Sequence, residues 1–173
     1  MKVRKLTFAA LFAAVICLFT AVFVIPLPLG YVNMGDVAVL AASALLGPLS
    51  GALSAGVGSA LADLFMGFGV YAPATFVIKA LMALSLYGAE RLLSALRWPR
   101  TLVNAVGAVI AEGIMVLGYL AYESCLYGFA GAVGSVPWNC LQGAFGVVAY
   151  LVLSHFFGRR AKNYFLKAID KKN

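Results

Sequence analysis

The chain has 173 residues, of which 64% are hydrophobic and 11% are charged, and its formal net charge is +7. Soluble domains carry about 25% charged residues, so this composition excludes the soluble globular class and predicts an integral membrane domain. The basic residues lie near the ends of apolar segments, which favours contact with the lipid bilayer and its headgroups over nucleic-acid binding.

Five apolar stretches are apparent along the chain, and we interpret the first as a retained helix rather than a signal peptide because further apolar segments follow it. The second stretch contains Gly47-Pro48, which predicts a turn between two shorter helices. With that turn, the sequence predicts a single all-α domain over residues 1–173. The six predicted helices lie at about 6–25, 36–46, 49–66, 73–94, 101–123 and 135–157.

The positions of lysine and arginine distinguish six membrane spans from five. The basic residues outside the spans are Lys2, Arg4, Lys5, Arg91, Arg97, Arg100, Arg159, Arg160, Lys162, Lys167, Lys171 and Lys172. Six spans put all of them on one side of the membrane, whereas five spans divide them between both sides. Because cytoplasmic loops are enriched in basic residues, we expect a six-helix bundle with both termini in the cytoplasm.

Polar residues at membrane depth gather in the predicted outer half of the bundle. An ionised group costs at least ~2.5 kcal/mol at the bilayer centre, so such residues usually face a protein interior or a wet cavity. Asn139 and Gln142 are one helical turn apart, so their two amides can hold one planar ligand. The predicted ligand-binding residues are Tyr31, Asp63, Lys79, Glu112, Tyr119, Trp138, Asn139 and Gln142.

Each of these residues also has a purely structural interpretation. In the structural interpretation, Asp63 and Lys79 form an ion pair between two helices, and Asp36 caps the second helix. Glu123 is then a solvated helix end, and the tyrosines and Trp138 form an ordinary interfacial belt. The two amides can equally bond one helix to another.

Motifs for covalent chemistry are missing from the sequence. It has no G-x-x-x-x-G-K-[ST] loop, no H-E-x-x-H and no G-x-S-x-G, and its three cysteines lack metal-ligand spacing. We therefore predict no enzyme activity, no metal and no cofactor, and favour transport or binding. Two alternatives stay open: a structural or assembly membrane protein, such as a cell-shape subunit, and a small membrane enzyme using Glu112 or Asp63.

Two segments resemble a known transporter family. They read NMGDVAVLAASALLGPLSGALSAGVGSALADLFMGFGVYAPATFVIKALMA and ESCLYGFAGAVGSVPWNCLQGAFG. The first resembles the substrate-binding S components of energy-coupling factor (ECF) vitamin transporters. It is most similar to the branch with hydroxymethylpyrimidine and pyridoxine carriers, alongside riboflavin-type S components.

The resemblance implies a multi-pass protein of the bacterial plasma membrane that binds a vitamin or precursor in an outward-facing pocket. It favours hydroxymethylpyrimidine or pyridoxine as the ligand, then riboflavin, and it supports Asn139 and Gln142 as ligand contacts. It also implies docking through the first helix onto a membrane T component that is coupled to two ATPase subunits. The small residues expected on the docking face are Ala9, Ala10, Ala13 and Ala14.

Overall fold

The computed structural model describes residues 3–27 and 30–170, without side-chain detail at residues 27, 30, 157–163 and 166–170. The predicted all-α architecture of six helices is confirmed. In chain order the elements are α1 (Val3–Val22), β1 (Val24–Leu27), β2 (Gly30–Asn33), α2 (Gly35–Leu46), α3 (Pro48–Phe65), α4 (Ala72–Ala95), α5 (Arg100–Val133) and α6 (Val136–Asp170).

Within the described residues, four helical segments are long and apolar enough to cross a membrane: Val3–Val22, Ala72–Ala95, Arg100–Val133 and Val136–Phe156. The α2 helix has only 12 residues, so it is about 18 Å long and spans part of a bilayer. Its chain reverses at once into α3, and the protein is a multi-pass membrane protein.

The turn between α2 and α3 confirms the prediction made from Gly47-Pro48. Gly47 has a φ of 81°, a conformation that glycine adopts without steric cost, and Pro48 is the first residue of α3. We call this end of the bundle the turn end, and the opposite end, which carries β1 and β2, the hairpin end. Arg4 lies in the first turn of α1 and Arg100 is the first residue of α5, both at the turn end, which is the end that the positive-inside rule predicts to face the cytoplasm.

The segment between α1 and α2 is a β-hairpin, where the sequence suggested an outer loop. β1 and β2 pair antiparallel from Val24 with Asn33 to Leu27 with Gly30. The Met34 N–H donates to the Phe23 carbonyl at 3.1 Å and extends the pairing by one hydrogen bond. The hairpin is therefore joined rigidly to the start of α2.

The last two helices are longer than their apolar stretches. α5 continues to Val133 across a break at Gly128 (φ 76°, ψ 158°), where the sequence suggested a loop from 124 to 134. α6 continues to Asp170, beyond the expected end at 157. The predicted ends followed the loss of hydropathy, and helices can extend past the apolar region into water.

Small residues allow α3 to lie very close to its neighbours. A Cβ on Gly51 would lie 2.8 Å from Ser43 Cα, and one on Gly58 would overlap the Ala13 carbonyl oxygen. A Cβ atom tolerates neither of these contacts, so the two glycines are required where α3 crosses α2 and α1. Around them the core is filled by fully buried Leu40, Met82 and similar side chains.

Candidate functional site

A cavity of about 280 Å³ lies at the hairpin end, enclosed by α1, β2 and the helices α3 to α6. Every predicted ligand residue except Glu112 lies in its wall. The lining residues are Thr20, Tyr31, Asn33, Ser59, Asp63, Phe68, Tyr71, Thr75, Lys79, Tyr119, Glu123, Gly134, Ser135, Trp138, Asn139 and Gln142. The sequence therefore located the region of the cavity correctly, although ligand contact by these residues stays a prediction.

Lys79 is held in the wall by a buried ion pair. Its ammonium pairs with Asp36, and both side chains are almost fully buried, at 2% and 1% exposed. The Gln142 Nε2 also donates to Asp36 Oδ2 at 2.5 Å, so two donors satisfy this carboxylate. The Lys79 ammonium lies 5.6 Å from the centre of the Tyr119 ring, which adds a cation–π contact.

Two structural interpretations of the acidic residues are wrong. Lys79 pairs with Asp36 rather than with Asp63, because α2 places Asp36 in its first turn facing α4. Asp36 is also not a helix cap: the N-cap position is Met34, with no side-chain capping bond, and Asp36 points into the bundle. The ion pair thus joins α2 to α4.

The amides of Asn139 and Gln142 are used unequally. Both ends of the Gln142 amide bond the protein, since its Oε1 accepts the Asn33 N–H at 2.8 Å and its Nε2 donates to Asp36. Among the described residues, the Asn139 Nδ2 donates one long bond, of 3.4 Å, to Ser135 Oγ. Asn139 is therefore available to a ligand, whereas Gln142 mainly joins β2, α2 and α6.

Asp63 lies in the last turn of α3, and one of its two carboxylate oxygens accepts a hydrogen bond from the hairpin. The Tyr31 hydroxyl donates to Asp63 Oδ1, while Oδ2 has no hydrogen-bond partner among the described residues. Burial and the neighbouring Asp63 carboxylate raise the pKa of the Tyr31 phenol, so Tyr31 stays a hydroxyl donor. The contact ties β2 to α3 across the cavity.

Glu123 is buried in the opposite wall, so its interpretation as a solvated helix end is wrong. It is 3% exposed, and its Oε2 accepts from the Ser135 hydroxyl. The Tyr71 hydroxyl lies 3.4 Å from Glu123 Oε1 and 3.4 Å from the Tyr127 hydroxyl. Burial raises the pKa of the Tyr71 phenol, and the bond with Tyr127 and the charge of Glu123 raise it further.

Several lining residues escaped the sequence reasoning. Ser59 and Thr75 each precede a charged lining residue, Asp63 or Lys79, by four positions, and residues four apart share a helix face. That spacing was a usable signal. No sequence pattern pointed to Asn33, Thr20 or Phe68, because the positions of these residues depend on the hairpin and on loop geometry.

Glu112 lies deep in the bundle beside α6, outside the cavity wall. Neither of its carboxyl oxygens has a hydrogen-bond partner among the described residues, and the side chain is 4% exposed. A Cβ on Gly146 would overlap Glu112 Oε1, and one on Gly143 would lie 3.2 Å from Glu112 Cβ. The two glycines therefore make room for this carboxyl group between α5 and α6.

The predicted docking alanines on α1 face two directions. Ala9 and Ala13 are buried, and the Ala9 carbonyl accepts a 2.8 Å bond from Ser54 Oγ on α3. Both therefore pack inside the bundle, which corrects their placement on a surface for a partner. Ala10 and Ala14 are exposed on the other side of the helix and keep that role as a prediction.

Comparison with known proteins agrees with this architecture. The family model described as "ECF-type riboflavin transporter, S component" matches residues 1–158. A protein of Pyrococcus woesei, described as an uncharacterized protein in a gap 3′ region, is 35% identical over 124 residues, covering 72% of this chain and 80% of that protein. The chain belongs to the ECF-type riboflavin transporter S-component family.

Proposed function

We propose that the cavity holds a B-vitamin or precursor with one small heterocyclic ring, hydroxymethylpyrimidine or pyridoxine. Family membership makes the chain a substrate-binding subunit of a membrane transporter rather than an enzyme. The observation that supports this proposal is the cavity itself. Its wall contains buried polar atoms that have no hydrogen-bond partner among the described residues. Such groups are costly at membrane depth and usually mark a substrate site.

The size of the cavity favours a single ring. Its volume of about 280 Å³ is at or just below the lower end of ~300–1,000 Å³ that is typical of small-molecule sites. Phe68, Tyr119 and Trp138 provide flat apolar surface for the faces of such a ring, and Asn139 provides an amide for its edge. A pyrimidine or pyridine with short polar substituents matches both properties.

The direct test is binding to the purified full chain in detergent. We expect hydroxymethylpyrimidine or pyridoxine to raise the melting temperature and to bind with one site per chain by calorimetry. If these compounds and riboflavin all leave the melting temperature unchanged, a ligand of this class is contradicted.

Riboflavin is the second candidate, because the matching family is described by that substrate. Its three-ring system is larger than a single heterocycle, so we expect its binding to need more of the cavity and its opening than a one-ring compound does. Competition between riboflavin and the one-ring compounds, measured by calorimetry, decides between the two candidates.

The two amides give a sharper test of the site. Asn139→Leu should weaken ligand binding by about tenfold with little change in melting temperature, because this amide makes one long bond within the described part of the chain. Gln142→Leu should lower the melting temperature, because it removes bonds to Asn33 and Asp36. Equal loss of stability in both variants would favour the structural-subunit alternative.

For partners, we propose that the exposed face of α1 docks onto a membrane T component that is coupled to two ATPase subunits. Ala14→Leu should then reduce co-purification with the T component while ligand binding stays intact. Val109→Leu is a matched control, because Val109 is exposed on α5, away from α1 in the chain. If Ala14→Leu assembles as well as Val109→Leu, α1 is not the docking helix.

A further inference from the structure

Three buried polar atoms in the cavity wall have no hydrogen-bond partner among the described residues: Thr20 Oγ1, Ser59 Oγ and Asp63 Oδ2. Their side chains are 2%, 1% and 2% exposed, respectively, so bulk water does not reach them. Most buried polar atoms in proteins have a partner, and an unpaired one is expensive. These atoms can therefore accept or donate hydrogen bonds to a polar ligand in the cavity.

Asp63 is the decisive member of this group because it is an acceptor with one oxygen left over. Tyr31 occupies Oδ1. Thr75 also lies close to the carboxylate and bonds the Tyr119 hydroxyl at 3.0 Å, but no described residue makes a hydrogen bond to Asp63 Oδ2. The Lys79 ammonium, which is the nearby cation, is paired with Asp36.

We propose that Asp63 Oδ2 accepts a hydrogen bond from a protonated ring nitrogen or an amino group of the ligand, so that the cavity selects basic, donor-bearing heterocycles. This inference rests on the proposed function, since it names the chemical class that the same cavity takes. A charge-assisted bond to a carboxylate is about twice as strong as a neutral one, so this contact contributes much of the selectivity.

The other charges in the wall act in the same direction. Glu123 is the second lining carboxylate, and it accepts bonds from Ser135 and Tyr71. Lys79 is the one basic side chain among the described lining residues, and it is already paired. The cavity therefore offers no free cation to an anionic ligand, and a phosphorylated vitamin is excluded by two carboxylates.

The two hydroxyl groups lie in different parts of the cavity wall. Ser59 precedes Asp63 by one turn of α3 and lies on the same face, whereas Thr20 lies against Gly35 at the start of α2. A hydroxyl can both donate and accept. Ser59 is therefore the hydroxyl suited to a ring nitrogen or a hydroxymethyl substituent adjacent to the amino group.

The first experiment compares matched compounds on the unmodified full chain by calorimetry. One pair is hydroxymethylpyrimidine and the same ring with its amino group replaced by a carbonyl oxygen; the other is pyridoxine and its phosphate ester. We expect the amino compound to bind about 10- to 100-fold more tightly than the carbonyl compound. We expect the preference for pyridoxine over its phosphate ester to be at least as large.

The second experiment uses the variant Asp63→Asn. We expect it to weaken binding of the amino compound by about 10- to 100-fold and to abolish the preference over the carbonyl compound. The matched control is Glu90→Gln, which alters a carboxylate that accepts a 2.6 Å bond from Tyr150, away from the cavity wall. Glu90→Gln should bind the amino compound like the unmodified chain.

The outcomes separate the two levels of the proposal. Equal binding of both members of each pair, or full affinity in a folded Asp63→Asn, overturns the Asp63 assignment and leaves the proposed function standing. No binding of any of these compounds or of riboflavin overturns both. If Asp63→Asn fails to fold, the compound pairs on the unmodified chain decide the matter alone.

Discussion

The two ends of the bundle use polar side chains in opposite ways. Toward the turn end, buried hydroxyls are paired with the backbone of a neighbouring helix: Ser43 Oγ donates to the Ala83 carbonyl at 2.5 Å, and Ser54 Oγ donates to the Ala9 carbonyl at 2.8 Å. At the hairpin end, Ser59 Oγ and one oxygen of Asp63 are left without partners among the described residues. The same residue types therefore join helices at one end and surround a cavity at the other.

This difference separates stability from recognition along the membrane normal. Close crossings and satisfied hydrogen bonds fix the turn end, while the unsatisfied groups at the hairpin end raise the free energy of the empty protein. A ligand that supplies partners for such groups removes this cost and gains binding free energy. The contrast predicts which substitutions change stability and which change affinity.

The largest effect is expected where the two regions meet, at the Lys79–Asp36 ion pair. Lys79→Met leaves the buried Asp36 carboxylate without its cation and should lower the free energy of unfolding by about 3–5 kcal/mol. The double variant Lys79→Met/Asp36→Asn should recover part of the loss. Thermal unfolding in detergent measures both, and an unchanged melting temperature in Lys79→Met contradicts the prediction.

Within the tightly packed region, Gly58→Ala should lower the free energy of unfolding by about 1–3 kcal/mol, because the new methyl group collides with the Ala13 carbonyl. Gly88→Ala is the matched control, since nothing lies within 4 Å of a Cβ at Gly88. The control should be neutral or slightly stabilising, as alanine favours helix. Similar melting temperatures for the two variants would mean that α1 and α3 are less close than described.

Glu112 tests the comparison from the other side, because it is unsatisfied yet lies outside the cavity wall. Glu112→Met replaces the buried carboxyl group by an apolar side chain of similar length. It should raise the free energy of unfolding by about 1–2 kcal/mol. Ligand affinity measured by calorimetry should not change. Loss of affinity in this variant would place Glu112 in the ligand site after all.

The smallest effect concerns the two tryptophans, one at each end. Trp138 lines the cavity and is 46% exposed, whereas Trp98 lies between α4 and α5 at the turn end. Trp138→Phe should abolish the ligand-induced change in fluorescence and weaken binding less than tenfold. Trp98→Phe should keep both signals, and loss of the fluorescence change there would contradict the location of the ligand.

Hydropathy, the distribution of basic residues and the Gly47-Pro48 dipeptide were sufficient to predict the six helices and the outer cluster of polar residues. The partner of Lys79 could not be predicted in this way. It depends on how α2 and α4 rotate about their axes, and one sequence does not determine that rotation. Asp63 and Asp36 are the same residue type, and only the packed structure shows which of them faces the ammonium.

The hairpin was missed for a different reason. Its strands have four residues each, and β1 contains Pro26, a residue that argues against a strand because it cannot donate a ladder hydrogen bond. Two-stranded pairing tolerates it at an edge. Because the hairpin was not recognised, the bond from the Asn33 N–H to Gln142 could not be predicted, and ligand contact was favoured for Gln142 over bonding between helices.

The attachment of this hairpin has a kinetic consequence. Tyr31 bonds Asp63 on α3, and the Asn33 N–H bonds Gln142 on α6. The hairpin is therefore held beside the cavity by bonds to residues of the cavity wall. A hairpin that opens to admit or release a ligand breaks those bonds. If Asp63 recognises the ligand as proposed, we expect the same carboxylate to influence its dwell time, so that slow exchange accompanies selectivity.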